Sequence, residues 1–111
     1  MTGRITRTSY RRRGRLIPRR THGLRAGSVT LRPQGAMDWH STGDREELLI
    51  LLAGRVQVEV DSARRAGASA RITRVALSAG QCAFIPSEIL HRVLNRSRTA
   101  ARYLYVTAPT S

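Results

Sequence analysis

At 111 residues the chain has room for one domain around one hydrophobic core. Its 41% hydrophobic content is that of a globular protein, and no apolar run nears the ~20 residues a membrane-spanning helix needs. The single cysteine, Cys82, excludes an internal disulfide, and the default expectation is a reducing cytoplasmic setting. Net charge is +13, and all 20 basic residues are arginine. Nine of them lie in residues 1–25, where there is no acid. From Ala26 onward, 11 arginines meet seven acids and leave +4. Such a balance points to phosphate-rich partners. The absence of lysine, with abundant Ala and Gly, is equally what a GC-rich coding sequence would produce.

In chain order, residues 1–25 read as a basic arm, flexible or partly ordered. Residues 1–20 carry neither the helical nor the strand period, and Gly14 and Pro18 interrupt them. The arm could touch nucleic acid through phosphates, but no base-reading element accompanies it. The domain proper is expected over 26–111. Ser28–Leu31 alternates and ends before Pro33, so a short strand is predicted. Ala36–His40 is a second strand, followed by a polar loop at 41–45. Glu47–Leu52 is a strong strand closed by Gly54. Arg55–Val60 has the cleanest period of two: Val56, Val58 and Val60 on one face, Arg55, Gln57 and Glu59 on the other. Asp61–Ala70 is a small, polar loop. Further strands are predicted at Ile72–Leu77, Cys82–Ile85, Ile89–Asn95 and Arg102–Thr107. No helix of normal length is expected. Eight or nine short strands with Gly, Pro or Asn between them describe an all-β antiparallel sandwich or barrel.

Two strand pairs each deliver a histidine. His40 beside Trp39 would, taken alone, read as a packed histidine with one hydrogen bond. His91 stands in the apolar run Ile89, Leu90, Val93, Leu94, where a polar ring needs a partner. Strand alternation turns one of Glu46 and Glu47 inward and the other outward. Tyr103 and Tyr105 share a face, either the lumen or a subunit contact. Cys82 reads as a small core residue.

Residues 27–107 resemble the cupin family. Gly35, His40, Glu47 and Gly54 follow the spacing of its first motif, with Thr42 where a second histidine would stand. Gly80, Pro86, His91 and Asn95 follow its second motif, with Glu88 where a glycine would stand. The resemblance implies a double-stranded β-helix of the jelly-roll type. It also selects Glu47 over Glu46, by the six residues that separate it from Gly54.

The resemblance further implies a divalent metal held by three histidines and a glutamate. Here Thr42 removes one imidazole and leaves His40, Glu47 and His91. Two histidines and a carboxylate are the facial set of Fe(II) oxygenases, and these donors suit Fe, Mn, Ni or Zn better than Ca or Mg. Water hydrogen-bonded by Thr42 would fill the missing place. Without a metal, Glu47 would be the general base. The fold hosts dioxygenases and isomerases as well as sensors, so two readings stand: a metal-dependent enzyme for a small molecule, or a metal-free ligand-binding cupin. Substrate would enter past the 41–45 loop and strand residues such as Gln57. Arginines at that mouth would favour an anionic ligand, a carboxylate or a sugar phosphate. A homodimer is expected, with exposed edge strands covered and residues 1–30 adding a strand across the contact.

Overall fold

The computed structural model describes residues 5–18, 20–61 and 71–110. The loop expected over residues 61–70 lies, apart from Asp61, outside the described residues. The elements are β1 (Gly14–Arg15), β2 (Arg25–Leu31), β3 (Ala36–Ser41), β4 (Arg45–Ala53), β5 (Arg55–Asp61), β6 (Ile72–Ser78), β7 (Cys82–Ile85), β8 (Leu90–Leu94) and β9 (Ala101–Pro109). All pairings are antiparallel, and no helix occurs among the described residues. One sheet has the order β1-β2-β9-β4-β7 and the other β3-β8-β5-β6. The two face each other as a jelly roll, as the family resemblance implies; the strand periodicity gave the sandwich or barrel class.

The alternation of β5 explains the layering. Val56 and Val58 are buried between the sheets with Leu31, Leu49, Leu51, Leu77, Ile85, Val93, Ala101 and Tyr103. Each large side chain in this set contributes about 1.5–3 kcal/mol by leaving water. Gly54, at φ 80, turns β4 into β5, and a Cβ there would meet the Ala100 carbonyl oxygen at 2.7 Å. Only glycine satisfies both the backbone and the space.

The arm differs from its sequence expectation in one respect. Gly14 and Arg15 pair with Ser28 and Gly27, so part of it is an added strand on the edge of β2 in the same chain. Leu16 N–H donates to the Ala26 carbonyl at 2.9 Å, and Arg102 donates from the body to the Tyr10 carbonyl.

Cys82 also departs from expectation. It is exposed, because it pairs with Ile50 on edge strand β7 and falls on the outer face of its sheet.

Candidate metal centre

Sheet register brings the two histidines together: His40 of β3 is the cross-strand partner of His91 of β8. Their ring centroids are 4.2 Å apart. A bulge makes this contact. Met37 pairs with Val93 and His40 with His91, so β3 takes three residue steps where β8 takes two. The extra residue turns His40 to the lumen side that Met37 occupies and throws Trp39 to the outside. Asp38 Oδ1 accepts from Trp39 N–H at 2.7 Å within this bulge.

Glu47 comes from the opposite sheet. On β4 it shares the inward face with Leu49 and Leu51 and lies between Thr107 of β9 and Ile85 of β7. Glu46 is exposed, as alternation requires. Ligand atoms of His40, Glu47 and His91 all lie within 4.8 Å of one another.

The hydrogen bonds set which nitrogen faces the centre. His40 Nδ1 lies 2.8 Å from the Asp38 carbonyl, and His91 Nδ1 lies 3.2 Å from the Ile89 carbonyl. A carbonyl only accepts, so each Nδ1 carries the proton and each Nε2 presents a lone pair. His91 is wholly buried, and its Nε2 meets no hydrogen-bond partner among the described residues. The nearest charged atom is Glu47 Oε1 at 3.5 Å. Two lone-pair atoms facing each other in a buried place can be bridged by a proton or by a cation. Backbone carbonyls orienting the far nitrogens are the usual outer support of metal-binding imidazoles. The donor set therefore fits a divalent transition metal.

Electrostatics agree with a site built for such an ion. Burial raises the Glu47 carboxyl above its ordinary value, partly offset by His40. Burial also lowers His91, opposed by its bond to the Ile89 carbonyl. Without a cation both groups are held toward their neutral forms.

Thr42 lines the same cavity as His40, Glu47 and His91, but its hydroxyl is engaged by backbone groups. Its hydroxyl donates to the Pro86 carbonyl at 2.8 Å and accepts from Ile89 N–H at 3.1 Å. It clips the 41–45 turn to the turn before β8, and so holds the two histidine strands in register. Gln57, in contrast, does not line this cavity. Its β5 position faces outward, and it lines a separate cleft with Arg55, Gln81 and Arg96. That cleft also measures about 360 Å³ but contains no histidine, cysteine or carboxylate.

The cavity holding His40, Glu47 and His91 measures about 360 Å³, within the range of small-ligand pockets. Its apolar wall is formed by Val29, Met37 and Val93. Tyr103 and Tyr105 face this lumen, which decides between the two placements the sequence allowed. Tyr105 lies flat over Gly27, its cross-strand partner, where any Cβ would collide with the phenol ring. Tyr103 is buried, and its hydroxyl is pushed far above the ordinary tyrosine range by desolvation, with Glu47 and Tyr105 adding to the effect. It therefore stays a proton donor. Sequence reading also missed Arg25 and Arg45, which line the mouth. Their signal was their strand position: Arg45 is two residues before Glu47, on the same face.

The sequence profile of the cupin domain family matches residues 27–107. No curated protein sequence matches the chain. Solved structures share its fold. The cupin domain of Cnp3 from Schizosaccharomyces pombe superposes with a TM-score of 0.71 at 16% identity, covering 86% of this chain and 61% of that one. An oxalate oxidase gives 0.69 at 20% identity over 78% of this chain and 42% of that one. TT1209 from Thermus thermophilus gives 0.69 at 24% identity over 94% and 90%. The chain thus spans less than two thirds of the first two neighbours and nearly all of the third.

Proposed function

The chain belongs to the cupin family, and from that premise we propose that it holds one divalent transition-metal ion on His40, Glu47 and His91 and uses it on a small molecule in the cavity. The observation that carries this reading is the buried, unpartnered Nε2 of His91 aimed at Glu47. Fe, Mn, Ni and Zn all suit two imidazoles and a carboxylate. Once bound, such an ion would supply Lewis acidity and open positions for substrate.

The rest of the chemistry belongs to the chain. His40 and Glu47 fix the donors from opposite sheets, so the centre is as rigid as the jelly roll itself. Val29, Met37 and Val93 would exclude water from one side of a bound molecule. Tyr103, held protonated, would donate a hydrogen bond or a proton to a substrate oxygen.

The test is the metal content of the untagged full chain by elemental mass spectrometry, beside His40→Ala and His91→Ala. Near-stoichiometric metal that both substitutions abolish is the expected result. A native chain that takes up no ion after incubation with Fe, Mn, Ni or Zn would leave a metal-free binding cavity instead.

A further inference from the structure

The mouth of the cavity carries two arginines that no carboxylate neutralises. Arg45 is held by neutral acceptors alone. Its Nε donates to Thr107 Oγ1 at 2.9 Å, and its Nη2 donates to the Thr107 carbonyl at 3.0 Å and to the Gly23 carbonyl. Nη1 makes no hydrogen bond to any described residue. Arg25 pairs in register with Thr107, which in turn pairs with Glu47, so Arg25, Thr107 and Glu47 form one row across β2, β9 and β4. The Arg25 side chain makes no hydrogen bond or ion pair with any described residue.

Most arginines set into a fold meet an acid. Glu59 takes Arg74 and Arg92 on the outer face of the other sheet. Arg45 is instead immobilised with its charge uncompensated, at the entrance of a partly closed cavity. Its three bonds remove the freedom to swing into water, and they leave one edge of the guanidinium unused. Glu47 is the one carboxylate of the lining, and neither Arg25 nor Arg45 forms an ion pair with it. A divalent ion on His40, Glu47 and His91 would add positive charge to the same lining. Two unpaired guanidiniums side by side at a cavity entrance favour an anionic ligand.

We infer that the molecule taken into this cavity is a small organic oxyanion, a carboxylate or a phosphate monoester, whose charged end lies between Arg45 and Arg25 and whose apolar body lies against Val29, Met37 and Val93. Arg45 is the fixed half of the receptor, and its planar edge suits a two-oxygen acceptor. Arg25, free of partners, closes on the ligand from the neighbouring row. The Tyr103 hydroxyl sits deeper and meets the other end of the molecule. This reading extends the metal-site proposal and gives the open side of that site its chemical class.

The experiment uses the full chain loaded with Zn(II), with bound metal measured on every sample. Ligand-observed NMR would follow butyrate, benzoate and phenyl phosphate against the neutral butyramide and benzamide. At least one anion should bind and its amide should not. Arg25→Gln and Arg45→Gln should each weaken that binding by about tenfold or more, as expected for loss of a charge-assisted hydrogen bond. Arg55→Gln, outside the cavity, should leave it unchanged. Arg25→Gln should also leave the melting temperature unchanged, because Arg25 holds nothing in the fold. Arg45→Gln lowers it by releasing Gly23 and Thr107. Carboxylate-only or phosphate-only binding selects the source of the oxyanion. Amides binding as well as acids, Arg25→Gln binding normally, or no probe binding to metal-loaded protein would each overturn the inference. Arginine-dependent anion binding to a chain that holds no metal would keep the inference and sink the metal site.

Discussion

Two glutamates of this chain are shielded from water, and they do opposite things. Glu47 lies between the sheets. Its neighbours are two imidazoles, and desolvation raises its carboxyl. Glu59 lies on the outer face of the β3-β8-β5-β6 sheet, 2.7 Å from Arg74 and 2.6 Å from Arg92, with Arg96 at 4.0 Å. Hydrogen bonding to Arg92, reinforced by Arg74, lowers its carboxyl despite its desolvation. The outer cluster is complete as it stands, and Glu59 has nothing left to bind. Glu47 has no guanidinium counter-ion, and the proposed metal would take that place. Shielding alone separates neither from the other; the partners do.

The comparison breaks most sharply on metal content. Glu47→Gln removes the one anionic donor. Losing even an outer-shell partner typically costs ~10–100-fold in metal affinity, so this change should cost more than about 100-fold. Glu59→Gln should leave metal content unchanged. Equal loss in both variants, measured by titration with Zn(II) and elemental mass spectrometry, would mean that Glu47 is no ligand and the effect is structural.

Stability reads the same contrast with the opposite sign. In metal-free protein burial disfavours the charged form of Glu47, so at pH 8 Glu47→Gln should raise the melting temperature. Glu59→Gln should lower it, by leaving Arg74 and Arg92 facing each other without a counter-charge. Added Zn(II) should stabilise the wild type and do little for Glu47→Gln, because ligand binding adds to stability only where the site exists. A metal-free Glu47→Gln protein that melts below wild type would show that Glu47 is already neutralised within the fold.

Acid separates the two again. The folded carboxyl of Glu59 lies below its ordinary value of 4.5, so its contribution is present above that pH and lost as pH falls through the folded value. The folded carboxyl of Glu47 lies above 4.5, so its contribution is present below 4.5 and lost as pH rises through the raised value. His91, lowered from 6.5, contributes above 6.5 and loses that contribution as pH falls through its folded value. Urea melts of the metal-free chain from pH 8 to pH 3 should show wild type and Glu59→Gln converging only below pH 4.5. Wild type and Glu47→Gln should converge earlier, as Glu47 protonates. Convergence of both pairs at one pH would contradict the assigned directions.

Much of this was legible in the sequence because strands carry a period of two. The valines of β5, the glycine at 54 and the two spaced motifs fixed the jelly roll and brought His40, Glu47 and His91 to one place. The structure confirms the spacing even where the residue is unusual: Glu88, in a glycine's place, has a φ of 62. Three features were not legible. The bulge at Asp38 adds one residue to β3, and a period-two reading has no means to count it. Asn95 read as a strand end and a motif position with no partners assigned, but it is buried, and its amide donates to the carbonyls of Leu31, Arg32 and Thr99 while its oxygen accepts from Ser97. Those partners lie up to 64 positions away, beyond any local pattern. Thr42 read as a lost ligand, yet its hydroxyl is engaged by two backbone groups across a turn.

The smallest expected effect tests the bulge itself. It throws Trp39 outward, where the Arg92 guanidinium lies 4.7 Å from the ring centre while bonding Glu59. A cation–π contact at a partly exposed site is worth about 0.5–1 kcal/mol. Trp39→Ala should therefore destabilise the chain by about that much, plus lost ring packing, and leave metal content intact, since the ring faces away from the lumen. If it released the metal, the position of His40 would depend on Trp39 holding the bulge open, and the outer cluster would be a support of the site. The double variant Trp39→Ala with Glu59→Gln distinguishes the two cases. Effects that add on stability while metal stays bound mean the faces are independent. Metal loss in the double variant alone means the outer cluster shapes β3 from behind, through the one residue that the bulge inserts.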